Sequence, residues 1–218
     1  MKIEVWSDYV CPFCYIGKRR LEEALEDTGL AEKVEVIFKA YELDPNSSKT
    51  SQLTMHETLA KKYNMSIEEA INMTNNVTEQ AKTVGLEYDF ENMKTANTFD
   101  AHRLAKLAEE ENVADVVTEK LLSANFIEAK EIGSIDVLMQ IAQESGIPLE
   151  RAKAMFESEE FAEDVKADIA EARQVGVQGV PFFVINRKYA ISGAQPAETF
   201  GNALRKVAIE EGINLTNE

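Results

Sequence analysis

Cys11 and Cys14 are the only cysteines in a chain of 218 residues, and they stand three positions apart as Cys11-Pro12-Phe13-Cys14. A thiolate is both a nucleophile and a metal ligand, and two cysteines this close can form a disulfide with little backbone movement. A closed zinc site takes four ligands, and the only histidines, His56 and His102, lie far off at no zinc-finger spacing. A structural disulfide across two residues closes almost no loop and stabilises little. Two inert buried thiols are the blander alternative. Pro12 argues against that, because it marks the start of a helix. Reversible thiol–disulfide chemistry is the reading that uses both sulfurs.

The elements around the pair set their geometry. Ile3-Glu4-Val5-Trp6-Ser7-Asp8-Tyr9-Val10 leads into the motif, with a strand predicted over 2–7, and a helical pattern starts directly after the first cysteine. Proline suits the first helical position, where its missing N–H is no loss. Cys11 is therefore the expected N-cap. Its sulfur would face the N–H groups of Phe13 and Cys14 at the positive end of the helix dipole, where a thiolate is favoured. Cys14 shares a face with Gly17, Leu21, Ala24 and Leu25, the spacing of a buried stripe. Cys11 thus reads as an exposed attacker and Cys14 as a shielded resolver. The helix is predicted over 12–28, ended by Gly29; Lys18, Arg19 and Arg20 read as its solvated face.

A second strand is predicted over 34–41, with Val34, Val36 and Phe38 on one face, completing a β-α-β unit of right-handed crossover. After Leu43-Asp44-Pro45 the chain turns helical. Ser66 and Glu69 form a capping box, Asn97 or Thr98 caps a helix carrying Ala101, Leu104, Ala105 and Ala108, and Ser134 opens another that Gly146 closes. Pro148 begins a short helix, and Ser158-Glu159-Glu160 opens a last long one ended by Gly176. Strand signals return over 180–185 and 189–192, joined by Asn186-Arg187-Lys188 as a hairpin. Pro196 opens a final helix carrying Phe200, Ala203, Leu204 and Val207. The expected organisation is a first α/β part over 1–50, a helical insertion over 51–165, and a second α/β part over 166–218.

The net charge of −16 argues against a nucleic-acid partner and against docking on anionic lipid. No run approaches the ~20 apolar residues of a membrane span. The start shows no signal-peptide pattern, so a cytoplasmic location is expected, where a Cys-x-x-Cys is redox-active or metal-binding rather than a structural staple. His102, on the flank of its helical stripe, reads as a structural histidine in preference to a proton shuttle. Lys39 and Glu42, near the end of the second strand, read as solvated charges, with a proton-transfer role as the sharper alternative. The methionines of the helical stretch read as core filler, with a pliable client groove as the alternative.

A strand, Cys-Pro-x-Cys opening a helix, and a late Gly176-Val177-Gln178-Gly179-Val180-Pro181 entering a hairpin together resemble a thioredoxin-fold oxidoreductase. The helical block between the halves makes the chain similar to the DsbA family, and within it to the FrnE-like proteins. Ser7 to Cys14, Leu43-Asp44-Pro45 and Asn97-Thr98-Phe99-Asp100-Ala101-His102-Arg103-Leu104 carry the same resemblance. It implies a thioredoxin-like α/β fold with a large all-helical insertion, and thiol–disulfide oxidoreductase or disulfide isomerase activity. It implies that Cys11 is the nucleophile, Cys14 the resolving thiol and Pro181 a cis-proline facing them. Phe13, Val180 and Pro181 would meet the substrate, Val180 by pairing its backbone with a substrate strand. Phe13 stands where DsbA itself carries histidine, so one contribution to thiolate stabilisation is missing. With no further cysteine pair, recycling falls to an external thiol or reductase. The expected partners are proteins bearing disulfides or dithiols; no cofactor or metal is called for, and glutathione is an open candidate as redox partner. The same scaffold resembles kappa-class glutathione transferases and 2-hydroxychromene-2-carboxylate isomerases, which use a serine near position 11. A non-enzymatic, chaperone-like binding protein is the third alternative.

Overall fold

A computed structural model describes residues 1–215. In chain order its elements are β1 (Lys2–Ser7), α1 (Pro12–Asp27), a short 3-10 turn (Ala31–Lys33), β2 (Glu35–Ala40), α2 (Met55–Tyr63), α3 (Ile67–Lys82), α4 (Phe99–Glu110), α5 (Ala114–Phe126), α6 (Ile135–Glu144), α7 (Leu149–Phe156), α8 (Ala162–Val175), β3 (Phe182–Ile185), β4 (Tyr189–Ser192) and α9 (Ala197–Glu210). The strands form one sheet in the order β2-β1-β3-β4. β1 pairs parallel with β2, with Val5 opposite Phe38, and antiparallel with β3, with Val5 opposite Phe183. This is a thioredoxin-like α/β fold with helices 2–8 placed between its second and third strands.

Alternation along β1 divides the two faces of the sheet. Ile3 and Val5 point into a core with Leu21, Leu25, Phe183, Phe200 and Leu204, so α1 and α9 cover that side. Trp6 points the other way, packs with Ala172, Val177 and Val184, and donates its indole N–H to the Asp168 carbonyl of α8 at 3.0 Å. The largest apolar cluster fills the helical block but also takes in Tyr9, Tyr15 and Ile16 from the redox turn and α1. The two parts therefore share this cluster, and the expected boundary at 165/166 falls inside α8.

Local signals account for most element ends. Ser66 and Glu69 close the capping box that the sequence announces; Thr54 and Glu57 close a second one at α2. The start of α8 differs from the expectation. Ser158-Glu159-Glu160 does not open it; the helix begins at Ala162 after Phe161 in the left-handed region. The cause is Arg103 of α4. Its guanidinium donates to the carbonyls of Met155, Ser158 and Glu160 and to the Asp100 carboxylate, holding 157–160 out of helix.

Candidate functional site

The redox turn sits at the carboxyl end of β1. Cys11 N–H donates to the Asp8 carbonyl at 3.1 Å, and Cys14 N–H donates to the Cys11 carbonyl at 3.0 Å. Cys11 is the N-cap residue of α1 with Pro12 next, but its side chain makes no cap hydrogen bond. The backbone carbonyl has already taken the Cys14 N–H. The sulfur instead contacts the Val180 carbonyl at 3.4 Å. Nor is Cys11 exposed: only 4% of its surface is open, against 37% for Phe13 beside it. The exposed-attacker expectation is corrected accordingly. The sulfur lies under the rim formed by the loop before β3, and Phe13 is the part of the motif that reaches solvent.

Cys14 is buried, and both cysteines are free thiols. Burial pushes the Cys14 thiol well above the ordinary thiol range. Its hydrogen bond to the Cys11 sulfur and that sulfur's charge push the same way, while the Ser7 hydroxyl and the Asp8 backbone N–H pull back. The pair therefore stacks one sulfur on the other, with the inner one kept protonated.

The loop before β3 closes the site from the other half of the fold. The Val180–Pro181 peptide is cis. Gly17, one turn into α1 past Cys14, lets this loop approach. A Cβ at position 17 would lie 3.0 Å from Pro181 Cγ and 3.1 Å from Phe183 Cζ. Cys11, Cys14, Val180 and Pro181 are thus brought together from residues 170 positions apart in the chain.

The accessory residues divide. His102 is buried behind the turn. Its Nε2 donates to the Tyr41 carbonyl at 3.0 Å, because a carbonyl can only accept, and its ring packs against Tyr9. Glu42 lies near it. Burial raises the Glu42 carboxyl above the usual carboxylate range; the imidazole of His102 opposes that rise and the Asp8 charge adds to it. Lys39 lines a small cavity with His102, but its ion pairs lie elsewhere. Its ammonium binds Asp168 at 2.9 Å and Glu171 at 3.2 Å, on the α8 side of the sheet. Its reading as a solvated charge is replaced by a paired one. Asp168 also meets Lys106 at 2.8 Å, and its carboxyl is held below the usual range by these two lysines against the opposing effect of burial.

Two further residues belong to the site. Tyr88, between α3 and α4, donates its hydroxyl to the Pro12 carbonyl at 2.7 Å and packs beside Tyr15 and Phe126. Asp8 accepts the Leu43 N–H at 2.7 Å on Oδ2. In the sequence it is marked only by its place in the Ser7 to Cys14 stretch. Among the described residues, no cluster of three or more His, Cys, Asp or Glu side chains is arranged to hold a metal ion. Among the same residues, no helix is long and apolar enough to cross a membrane.

Known proteins place this geometry. A family model described as a DsbA-like thioredoxin domain matches residues 2–205. A structure described as a probable DsbA oxidoreductase from Streptomyces coelicolor superposes with a TM-score of 0.90 at 36% identity, covering 100% of this chain and 93% of that one. A 2-hydroxychromene-2-carboxylate isomerase is similar in fold, with a TM-score of 0.73 at 13% identity over 97% of this chain and 98% of the other. The cytosolic disulfide reductase DsbM from Pseudomonas aeruginosa, solved with GSH, gives 0.66 at 13% identity over 96% and 100% of the two chains.

Proposed function

Because the chain belongs to the DsbA-like thioredoxin domain family, we propose that it catalyses thiol–disulfide exchange on protein substrates through Cys11 and Cys14. The Cys11 thiolate attacks one sulfur of a substrate disulfide, forming a mixed disulfide and releasing the other substrate sulfur as a thiolate. Cys14 then gives up its proton and attacks the Cys11 sulfur. The substrate leaves as a dithiol, taking up two protons in all, and the enzyme is left as the Cys11–Cys14 disulfide. An external thiol or reductase returns the pair to dithiol. Run backwards, the same steps oxidise a substrate dithiol.

The observation that carries this reading is the stack itself: Cys11 Sγ against the Val180 carbonyl at 3.4 Å, with the buried Cys14 thiol behind it. An extended substrate segment would pair with the backbone at Val180, alongside Pro181, and meet the exposed ring of Phe13. In a cytoplasm poised at roughly −220 to −320 mV, a pair near about −120 mV rests as dithiol. Reduction or isomerisation of substrate disulfides is then favoured over net oxidation.

Cys14→Ser tests the assignment. The variant should stall as a mixed disulfide on Cys11, visible on a non-reducing gel and released by dithiothreitol. If Cys14→Ser turns over glutathione conjugation instead of trapping a protein, the transferase-like reading replaces this one. Client aggregation that is suppressed equally well without either cysteine would favour the chaperone-like reading.

A further inference from the structure

Asp8 is 1% exposed and lies at the centre of four elements, yet the exchange steps above do not use it. Its carbonyl fixes Cys11 N–H, its backbone N–H lies on the Cys14 sulfur, and its Oδ2 holds the Leu43 N–H. Oδ1 is buried and has no hydrogen-bond partner. The atom facing it is Nε2 of His102, at 3.4 Å. The His102 N–H points at the Tyr41 carbonyl, so the contact with Oδ1 is one of charge and dipole, outside hydrogen-bond alignment. The other titratable groups here are Tyr9, beside the His102 ring, the half-buried Glu42, and Lys39, Lys106 and Glu109, which line a small cavity with His102 and Tyr9.

A buried carboxylate with an open lone pair is expensive, and its field reaches far in a low-dielectric surround. This one sits directly behind the turn that carries both sulfurs. We propose that Asp8 and His102 are a positioning pair that sets the thiol–disulfide equilibrium of Cys11–Cys14: Asp8 fixes the turn and opposes the Cys11 thiolate with its charge, and the His102 N–H dipole moderates that charge. The proposal rests on the exchange reading. It gives the helical insertion a part in the chemistry, because His102 is on α4.

The two partners act with opposite sign, which a merely structural pair would not do. The test is the equilibrium of the purified protein in glutathione redox buffers, with thermal unfolding measured in parallel. Asp8→Asn removes the charge and keeps an acceptor for Leu43. It should shift the equilibrium toward the dithiol by roughly tenfold or more, the scale of one unit charge within about 12 Å at an effective dielectric of about 20. His102→Phe should shift it toward the disulfide by a smaller factor. His102→Gln, which restores an N–H donor, should lie near the wild type. Shifts of the same sign for Asp8→Asn and His102→Phe, or unchanged equilibria with only a lowered unfolding temperature, overturn the pair. If Asp8→Asn does not fold, the contrast between His102→Phe and His102→Gln decides. A wild-type protein that fails to equilibrate with glutathione at all would instead overturn the exchange reading.

Discussion

Two buried polar centres meet α4 at adjacent residues, Asp8 at His102 and Asp100 at Arg103, and they are finished differently. At Arg103 four of the five guanidinium N–H groups are used: three carbonyls and one carboxylate accept from it, and Asp100 is held on its other oxygen by Lys49 at 2.6 Å. At Asp8 one carboxylate oxygen is left open, the neighbouring imidazole is committed elsewhere, and a thiol is buried beside its N–H. The saturated centre shapes backbone, stopping α7 and delaying α8. The unsaturated one sits where chemistry needs spare capacity. Buried polar groups are normally satisfied; among the described residues Asp8 Oδ1 and Asn125 Oδ1 lack a partner, and Asp8 is the one that adjoins the sulfurs.

The comparison breaks most visibly at Arg103. Arg103→Ala leaves three carbonyls and Asp100 without their donor. It should destabilise the fold by about 3–5 kcal/mol in chemical denaturation, with the glutathione equilibrium of whatever remains folded unchanged. A large shift in that equilibrium would mean that the two centres are not separable.

Gly17→Val comes next. Its branched side chain meets Pro181 and Phe183, and overpacking of this kind costs about 1–3 kcal/mol. Exchange should slow as the loop carrying Val180 is pushed off Cys11, as read by insulin reduction. An active, fully stable variant would show that the close approach is dispensable. Tyr88→Phe removes only the donor to the Pro12 carbonyl and should cost about 0.5–1.5 kcal/mol.

The smallest effect sharpens the comparison by sign. The hydrogen bonds of Lys49 and Arg103 hold the Asp100 carboxyl below the usual range, although burial pushes it the other way. It contributes stability above its unfolded value of about 3.9, and that contribution is lost as pH falls through the lower folded value. Burial raises the Glu42 carboxyl. Its contribution is present below the unfolded value of about 4.3 and lost as pH rises through the folded one. In stability–pH curves, Asp100→Asn should therefore flatten the acid limb, while Glu42→Gln should relieve a loss toward neutrality. Matching slopes would erase the distinction.

What the sequence makes legible is what neighbours in sequence decide. Pro12 after Cys11, the Ser66/Glu69 box, Gly176 and the Asn186-Arg187 turn each act within a few residues, and each marks a real boundary. The second strand's Val36 and Phe38 do share a face on the α1 side. α5 is harder to read, because Val113 offers no cap and apolar residues lie all round it. The late start of α8 depends on an arginine more than fifty positions upstream, and no local pattern encodes that. The sulfur pair is legible but its exposure is not. Burial of Cys11 comes from Val180, 169 positions away. Lys39 and Glu42 are neighbours in sequence, yet their surroundings part them to α8 and to the redox turn.

Tyr9, Tyr15 and Ile16 flank the sulfurs in sequence but are roofed by the helical block. A truncated version keeping all four strands and both cysteines would strip three large side chains of their shelter, right at the catalytic turn. The stretch between the two halves is therefore no detachable appendage: it packs on the residues that flank the sulfurs, and shortening it would uncover them.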